Sequence, residues 1–164
     1  MAYIMSEEIF TLDTVENQKA YTADGVEVLF FTLGETVYGI EIKYINEIIG
    51  IEQITIVPKI PDHVKGVINI RGKVVPVISI RRRFGMEEIP YDDRTCIIVI
   101  EFDNGSQVGI IVDRVQEVVV VKSEYISKTP NYKNVNTNRY IKSIVEINDD
   151  IKLLLDCDKL IMDE

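Results

Sequence analysis

The stretch GVINIRGKVVPV, residues 66–77, contains a Gly-Lys pair at Gly72-Lys73 and could be taken for a phosphate-binding loop. A P-loop has four residues between its first glycine and the Gly-Lys pair, and a serine or threonine then holds magnesium. Here five residues separate Gly66 from Gly72, and Val74 follows the lysine. The apolar residues after Lys73 continue as a strand, whereas a P-loop opens a helix whose N-terminus receives the phosphate. The sequence therefore predicts a strand–turn–strand with Gly72 in the turn, and no nucleotide site.

The side chains that could carry catalysis are few. His63 is the only histidine, and Pro61-Asp62 beside it indicates a surface turn. No Gly-x-Ser-x-Gly elbow accompanies it, so a hydrolase would depend on His63 alone. We therefore expect a protein that is not an enzyme and in which His63 is an ordinary loop residue.

Metal and cofactor chemistry is equally poorly supported. One histidine and two distant cysteines, Cys96 and Cys157, give no ligand-pair spacing for zinc. Asn148-Asp149-Asp150 lacks the alternating oxygen ligands and terminal glutamate of a calcium loop, and predicts a turn instead. Cys96 lies in an apolar run without flanking cations, which is typical of inert packing. We expect no metal and no cofactor.

Two charged residues interrupt apolar runs. Glu47 stands among Ile45, Ile48 and Ile49, and Arg71 stands between Ile70 and Val74. Each could lie on the solvent side of its strand, because side chains alternate between the two faces. Alternatively, the two could approach each other as a partly buried pair at a subdomain junction, contributing more to orientation than to stability.

Charge and hydropathy narrow the class of protein further. Lys+Arg 18 against Asp+Glu 27 gives a net charge of −9, which disfavours binding to nucleic acid. The basic cluster Arg81-Arg82-Arg83 is short, and we expect it to be a solvated strand end. The start, MAYIMSEEIF, lacks the basic region of a secretory signal, and the apolar runs are shorter than the ~20 residues that span a bilayer. We expect a soluble, intracellular protein without direct membrane insertion.

The patterning predicts a mainly β protein after an N-terminal arm. Residues 1–24 are loosely patterned and predict a flexible arm or a short docking helix, with Ile9, Leu12 and Val15 on one stripe. From Val26 onward, short β-rich runs alternate with turns about every ten residues, which is typical of barrels or a sandwich. Asn104-Gly105 predicts a tight hairpin turn. Pro76 predicts a bulge or an edge position, because proline cannot donate to a ladder.

An internal repeat suggests two similar subdomains. The segment 39–49, GIEIKYINEII, aligns without gaps to the segment 109–119, GIIVDRVQEVV, at an offset of 70 residues. Each copy predicts a strand, a short turn and another strand. Because β-rich sequences match each other easily, coincidence stays an alternative to two β subdomains at roughly 35–100 and 100–150, whose end strands could be exchanged.

Several of these segments resemble the CheW family of bacterial chemotaxis coupling proteins. The stretches that carry the resemblance are VLFFTLGETVYGIEIKYINEIIG, IPDHVKGVINIRGKVVPVISIRRRFG, VGIIVDRVQEVV and IKLLLDCDKL. The most specific is KGVINIRGKVVPVISIRRRFG, with the family's Gly-x-x-Asn-x-Arg-Gly and the Pro-Val-(Ile/Val) that follows. The resemblance covers residues 25–160 as a CheW-like domain, outside the arm and a tail at 161–164. Ser143 departs from the family's usual glycine.

The resemblance implies a fold and a function without catalysis. The fold would be two five-stranded, SH3-like β-barrels around a shared core, with short helical segments. The family bridges methyl-accepting chemoreceptor cytoplasmic tips to the regulatory domain of the histidine kinase CheA. It therefore implies a cytoplasmic scaffold that is recruited to membrane-associated receptor arrays.

The resemblance also nominates contact residues. The family's receptor-contact positions correspond to Ile45, Glu47, Gly66, Arg71, Val99, Gly109 and Val115. These would surround a groove between the subdomains in which an apolar helical hairpin tip could dock. For the kinase, the resemblance implies only the first subdomain, within which we select the apolar strand ends near Ile51, Ile54 and Ile56.

One alternative from another class of protein is an OB-like β-barrel that binds an oligonucleotide or another ligand. Such a module needs exposed aromatic side chains beside a basic groove. Phe30, Phe31 and Phe102 fall inside strand patterns instead, and the net charge is acidic. The sequence therefore favours the adaptor.

Overall fold

The computed structural model describes residues 2–5, 8–11, 25–128 and 138–162. The strands are β1 (Ala2–Met5), β2 (Glu8–Thr11), β3 (Val26–Leu33), β4 (Thr36–Glu41), β5 (Ile45–Gly50), β6 (Val64–Ile70), β7 (Lys73–Ser79), β8 (Cys96–Glu101), β9 (Gln107–Val112), β10 (Arg114–Val121), β11 (Ile126–Lys128), β12 (Ile141–Ile147) and β13 (Asp150–Leu155). The helices are α1 (Ile80–Arg83) and α2 (Cys157–Met162), with 3-10 helices at Ile42–Tyr44, Ser123–Tyr125 and Asn138–Tyr140.

The strands form two large sheets and one hairpin. The six-stranded sheet has the order β10-β3-β4-β13-β12-β11, and the five-stranded sheet has the order β5-β8-β9-β7-β6. All pairs are antiparallel except β13 with β4 and β7 with β9. Strands β1 and β2 pair with each other as a separate sheet. The predicted mainly β class is confirmed.

The expectation of closed barrels is wrong at the level of strand pairing, because both sheets are open. In the five-stranded sheet the outer strands are β5 and β6, and a single bridge between Thr55 and Val67 is the contact that continues the ladder past β6. The segment that follows Thr55 contains Pro58 and Pro61, which have no backbone N–H to donate. Pairing therefore stops after one bridge.

The two sheets divide the chain differently from the predicted boundary near residue 100. Residue 100 lies inside β8, which pairs with β9 in the same sheet. The five-stranded sheet contains β5 to β9, while β3 and β4 join β10 to β13 in the six-stranded sheet. The chain consequently passes from one sheet to the other after β4 and again after β9.

The main core lies between the sheets. Alternating apolar residues of both sheets meet there, including Leu29, Phe31, Ile40, Ile98 and Ile110, each of which is fully buried. The other face of each sheet covers a smaller core, built around Val99 in one sheet and Phe30 in the other. Both faces of these strands are apolar, which explains their nearly continuous hydrophobic sequences.

The sequence repeat corresponds to a structural repeat, so the predicted strand–turn–strand in each copy is confirmed. In the first copy β4 leads through a 3-10 turn into β5, and in the second β9 leads through Asp113 into β10. The two copies also share an irregularity, since the ladder shifts between Ile45 and Glu47 and, 70 residues later, between Val115 and Glu117.

Equivalent residues also form equivalent rows across the two sheets. Glu47, Val99, Gly109, Val77 and Gly66 are successive ladder partners in the five-stranded sheet. Glu117, Phe30, Gly39, Leu154 and Ser143 are the corresponding row in the six-stranded sheet. Ser143 therefore takes the place of Gly66. Gly66 has a φ of 149°. Ser143 is not among the residues with positive φ, so its backbone does not need glycine there.

The predicted turns are partly correct. Arg71 and Gly72 form the two-residue turn between β6 and β7, with φ values of 50° and 83°. Asn148 and Asp149 do the same between β12 and β13, with φ values of 52° and 67°. The tight turn predicted at Asn104-Gly105 lies one residue earlier. The Gly105 N–H donates to the Phe102 carbonyl over 2.8 Å, which centres the turn on Asp103-Asn104, and of the predicted pair Gly105 has a positive φ, of 85°, and Asn104 does not.

The bulge or edge position predicted at Pro76 is wrong, because Pro76 pairs in regular register with Val67 and β7 lies between β6 and β9. Val67, its partner on β6, exchanges both backbone hydrogen bonds with Thr55, so the missing N–H of Pro76 costs no bond to β6. The parallel ladder to β9 begins only at Val77. Pro76 therefore occupies an interior strand without losing a ladder hydrogen bond to β6.

The described part of the N-terminal arm is not helical. Residues 2–5 and 8–11 are strands, so Ile9, the first residue of the predicted helical stripe, does not lie in a helix. Leu12 and Val15, which carry the rest of the predicted stripe, lie outside the described residues.

Candidate functional site

Glu47 and Arg71 form an ion pair, so their predicted approach is confirmed. The Arg71 guanidinium donates to Glu47 Oε1. The Arg71 side chain is 74% exposed and that of Glu47 is 16% exposed, so the pair presents its cation to solvent and shields its anion. Both residues belong to the five-stranded sheet and its β6–β7 turn, which corrects the predicted location at a subdomain junction. The pair therefore connects β5, the first strand in the sheet order, to the turn between β7 and β6, the last two strands.

The backbone of the β6–β7 turn sets the direction of the Arg71 side chain. Arg71 adopts a positive φ of 50°, and the Gly72 N–H donates to Asn69 Oδ1 over 2.9 Å. The next residue, Lys73, points elsewhere, because its Nζ donates to the Gly105 carbonyl over 3.2 Å. Arg71 alone in this turn therefore reaches Glu47.

A double-mutant cycle on Glu47 and Arg71 is expected to give a coupling free energy of about 0.5–1 kcal/mol in urea unfolding, because the cation is exposed and screened. The matched control is the cycle of Glu47 with Lys73, for which we expect coupling near zero, since Lys73 contacts Gly105 instead. Zero coupling for Arg71, or equal coupling in both cycles, would contradict the pair.

The other five predicted receptor-contact residues are buried. Val99 is fully buried, and it lies between Glu47 and Gly109 in the row across the sheet. Gly66 ends the same row. The structure therefore brings Glu47, Val99, Gly109 and Gly66 into one line on one face, because ladder partners share a face.

Ile45 and Val115 lie away from that row. They are 5% and 3% exposed and belong to the core shared by the two sheets. Each occupies the equivalent repeat position at the start of an outer strand, β5 or β10. Of the seven predicted positions, Glu47 and Arg71 are those whose side chains reach solvent, and the buried ones can act only through the shape of the strands.

The three predicted kinase-contact residues do not lie in strands. Ile51 and Ile54 pack against the smaller core of the five-stranded sheet, while Ile56 is 81% exposed. Ile54 and Ile56 line a cleft of about 490 Å³, which we call the Ile56 cleft. The sequence reasoning missed Ile89 and Tyr91, which are 45% and 41% exposed and line the same cleft. Their apolar types in the otherwise polar stretch after Met86 were the available signal.

An ion-pair network holds one side of the Ile56 cleft. Glu88 Oε2 lies 2.9 Å from Lys65 Nζ and 2.9 Å from Arg82 Nη2. Burial alone would raise the pKa of Glu88, but hydrogen bonds from Lys65 and Ser79 and the charge of Arg82 lower it overall. The carboxylate therefore stays ionised and fixes the loop that carries Ile89 against β6.

A second network fixes the point where the chain crosses between the sheets after β9. The Arg81 guanidinium contacts Asp113 Oδ1 and Oδ2 over 2.8 and 2.5 Å. Asp113 Oδ2 also accepts from the Gly34 N–H in the β3–β4 turn over 2.8 Å. Burial opposes ionisation, yet these hydrogen bonds and the Arg81 charge leave the pKa of Asp113 lowered. One carboxylate thus joins α1 to the six-stranded sheet.

The expectation that Arg81-Arg82-Arg83 is a solvated strand end is wrong. The cluster forms α1, and its side chains serve structural contacts, with Arg81 on Asp113 and Arg82 on Glu88. Arg83 Nε donates to the Leu160 carbonyl over 3.0 Å, which ties α2 to the core. Because these guanidinium groups are held by other groups, the cluster is not a free basic patch.

The residues considered for catalysis or metal binding are His63, Cys96 and Cys157, and their surroundings do not activate them. Burial and then the nearby Arg83 charge lower the pKa of His63, which therefore favours the neutral ring, and its carbonyl accepts from the Ser79 N–H over 2.8 Å. Burial raises the pKa of Cys157 to about 12 and raises that of Cys96, so neither thiol is poised as a nucleophile. Within the described ranges, no group of three His, Cys, Asp or Glu residues is arranged to hold a metal ion.

The aromatic residues considered for an oligonucleotide-binding barrel do not form the exposed stacking surface that such a module needs. Phe30 and Phe31 are fully buried, and Phe102 packs against the shared core. In the part of the chain that the structure covers, no helix is long and apolar enough to cross a membrane.

Comparisons with known proteins identify the family. A family model described as the CheW-like domain matches residues 27–164. The chain is 36% identical over 140 residues to the chemotaxis protein CheW of Klebsiella aerogenes, covering 85% of this chain and 84% of that protein. It is 30% identical over 137 residues to the chemotaxis protein CheW of Treponema pallidum, covering 82% and 81%.

A solved structure agrees with the sequence comparisons. The crystal structure of the scaffolding protein TtCheW from Thermoanaerobacter tengcongensis matches with a TM-score of 0.76 and 29% identity, over 83% of this chain and 92% of that chain. The sheets, the repeat and the Arg71–Glu47 pair described above therefore belong to a chain that is a member of the CheW-like domain family.

Proposed function

We propose that this chain is a non-catalytic adaptor that couples chemoreceptor cytoplasmic tips to the regulatory domain of a CheA-type histidine kinase. Membership of a family whose relatives are named chemotaxis proteins supports this role. Each sheet, together with the smaller core on its outer face, would act as one SH3-like unit. The adaptor would work in the cytoplasm, at membrane-associated receptor arrays.

The observation that carries the proposal is the Arg71–Glu47 pair at the edge of β5. An ion pair whose anion is largely shielded and whose cation is exposed provides a fixed, directional contact for a partner. Around it, Val99, Gly109 and Gly66 lie in the same row across the sheet as Glu47. An apolar helical hairpin tip would dock against this edge, behind which Ile45 and Val115 belong to the core between the sheets.

The Ile56 cleft is the proposed kinase face. Exposed Ile56, Ile89 and Tyr91 make an apolar surface beside the Lys65–Glu88–Arg82 network. A central apolar cluster with a polar rim is the usual composition of a protein–protein interface. The cleft is lined mainly by the segment between β5 and β6 and by the loop after α1, with the start of β6. It shares no residue with the Arg71–Glu47 pair, so one chain could hold both partners at once.

The experiment that tests the adaptor role is a pull-down of the chain with a receptor cytoplasmic fragment and with a CheA-type kinase, each alone and then together. The proposal predicts binding to each and a three-way complex. Absence of binding to both would contradict it. Labelled single-stranded oligonucleotide at low salt serves as the negative partner, for which we expect flat fluorescence anisotropy.

A further inference from the structure

A β-bulge in strand β5 brings a second polar side chain to the face of the sheet that carries Glu47. The ladder between β5 and β8 shifts between Ile45 and Glu47, so Asn46 is the extra residue. Glu101 lies two residues after Val99, the ladder partner of Glu47, and therefore points to the same face as Glu47. Asn46 Nδ2 donates to Glu101 Oε2 over 3.3 Å, so the Asn46 side chain reaches that face as well.

Two neutral amides hold the Glu101 carboxylate. Asn46 Nδ2 donates to Oε2, and Nε2 of Gln107, the ladder partner of Glu101, donates to Oε1 over 3.1 Å. The Glu101 side chain is exposed, and it forms no ion pair with any residue that the structure describes. Lys73 contacts the loop between β8 and β9, but its Nζ donates to the Gly105 carbonyl. The carboxylate is therefore oriented by its neighbours, while its charge stays available to a partner.

The other copy of the repeat shows that the fold does not require this arrangement. Two residues along from the equivalent rows of the sheets, the five-stranded sheet has the ladder pair Glu101 and Gln107. At the same place the six-stranded sheet has the ladder pair Thr32 and Val37, neither of which carries a charge. The shift in the ladder is nevertheless present in both sheets. The oriented carboxylate is therefore an addition that the strand geometry does not need, and a role in binding accounts for it.

The charges on this part of the five-stranded sheet define the partner that it fits. Arg71 presents an exposed cation, and Glu101, about 7 Å along β8 from the ladder partner of Glu47, presents an exposed anion. We propose that Glu101 is a second charged contact of the receptor site and binds a lysine or arginine side chain of the receptor tip. This inference rests on the proposed function, because it assigns a further contact to the same site. Charges of opposite sign fix the direction in which a helical hairpin docks, because the reversed orientation would bring like charges together.

The test compares Glu101→Gln and Glu101→Lys with the unmodified chain in isothermal titration with a receptor cytoplasmic fragment. Glu101→Gln removes the charge at nearly constant size, so we expect the dissociation constant to rise by about threefold or more. Glu101→Lys places like charges together, and we expect a rise of about tenfold or more. The matched controls, Glu146→Gln and Glu146→Lys, change an exposed carboxylate on β12 of the other sheet and should leave the constant unchanged. Equal changes in the Glu101 and Glu146 variants would overturn the inference.

Asn46→Ala tests whether Asn46 positions the Glu101 carboxylate. In the unmodified background we expect a weaker loss of receptor affinity than Glu101→Gln causes, because the charge remains but loses one of the two amides that orient it. In the Glu101→Gln background the same substitution should cause no further loss, since residues that act through one contact are not additive. An equal loss in both backgrounds would overturn the positioning role of Asn46.

An exchange of charges between the two proteins identifies the contact directly. Each basic residue at the tip of the receptor fragment is replaced in turn by glutamate. One of these fragments should bind the unmodified chain more weakly and regain affinity for Glu101→Lys, and rescue of none of them would overturn the inference. Equal affinity of the unmodified chain and the Glu101 variants for the original fragment would overturn the inference and retain the proposed function. Absence of binding by every form would reject both.

Discussion

Replacing Arg71 or Glu47 with alanine is expected to weaken binding to a receptor cytoplasmic fragment by about tenfold or more while the fold is retained. Arg71→Ala leaves the largely shielded Glu47 carboxylate without its partner, and Glu47→Ala leaves Arg71 without the group that orients it. Truncating one member of a charge pair that a partner buries costs about 2–5 kcal/mol, and about 1.4 kcal/mol already corresponds to tenfold in affinity. Isothermal titration with the receptor fragment measures the change.

Matched controls separate this site from general effects of charge. Lys73→Ala removes a positive charge two residues from Arg71, from a side chain that contacts Gly105 instead of Glu47. Glu146→Ala removes an exposed carboxylate on β12 of the other sheet. Both controls should bind receptor as the unmodified chain does. Wild-type affinity in folded Arg71→Ala and Glu47→Ala variants would rule out the proposed receptor site.

Replacing Gly66 with alanine is expected to lower the free energy of unfolding by about 3 kcal/mol or more. Gly66 has a φ of 149°, which side chains rarely adopt, and an added Cβ would lie 2.1 Å from the Thr55 carbonyl oxygen. That carbonyl accepts from the Val67 N–H in the bridge next to β6, so it cannot move without losing the bond. Backbone strain of about 1–3 kcal/mol and overpacking of about 1–3 kcal/mol both apply.

Urea unfolding followed by circular dichroism measures the effect of Gly66→Ala. Gly50→Ala is the control, because Gly50 has no atom within 4 Å of an added Cβ and no positive φ. We expect the control to change the free energy of unfolding by less than about 0.5 kcal/mol. Equal stability of the two variants would mean that the close approach of Thr55 to Gly66 does not exist in solution.

The sequence predicted those features that depend on neighbouring residues. The repeat at Gly39 and Gly109 correctly gave strand, turn and strand, because alternation and turn residues act locally. The turn at Arg71-Gly72 followed from glycine and from the spacing that excluded a phosphate loop. The approach of Glu47 and Arg71 was also predictable, because both are charged residues within apolar runs.

The sequence did not predict which distant strands pair with each other. Strands β3 and β4 join the six-stranded sheet through the parallel contact of β4 with β13, more than a hundred residues away, and no local pattern encodes that choice. The Arg81–Asp113 contact depends on the same arrangement, which is why the arginine cluster was wrongly expected to be solvated. At Asn104-Gly105 the Asn104 side chain accepts from the Ser106 N–H, and the turn is centred one residue earlier than the Asn-Gly pair predicts.

Under the proposed adaptor role, these contacts would serve a common purpose. The five-stranded sheet would carry the receptor contact at Glu47 and Arg71 and the kinase contact at the Ile56 cleft. The Arg81–Asp113 network would hold the second sheet at a fixed position beside them. An adaptor of this design needs no catalytic group, because its function is to hold two partners in a defined arrangement.

The most direct measurement of this role is co-sedimentation of a CheA-type kinase with vesicles that display chemoreceptor cytoplasmic fragments, with and without the chain. The account predicts that the kinase appears in the pellet in proportion to the chain added, and that Arg71→Ala returns both proteins to the supernatant. Kinase that sediments equally well without the chain, or stays in the supernatant in its presence, would contradict the adaptor role.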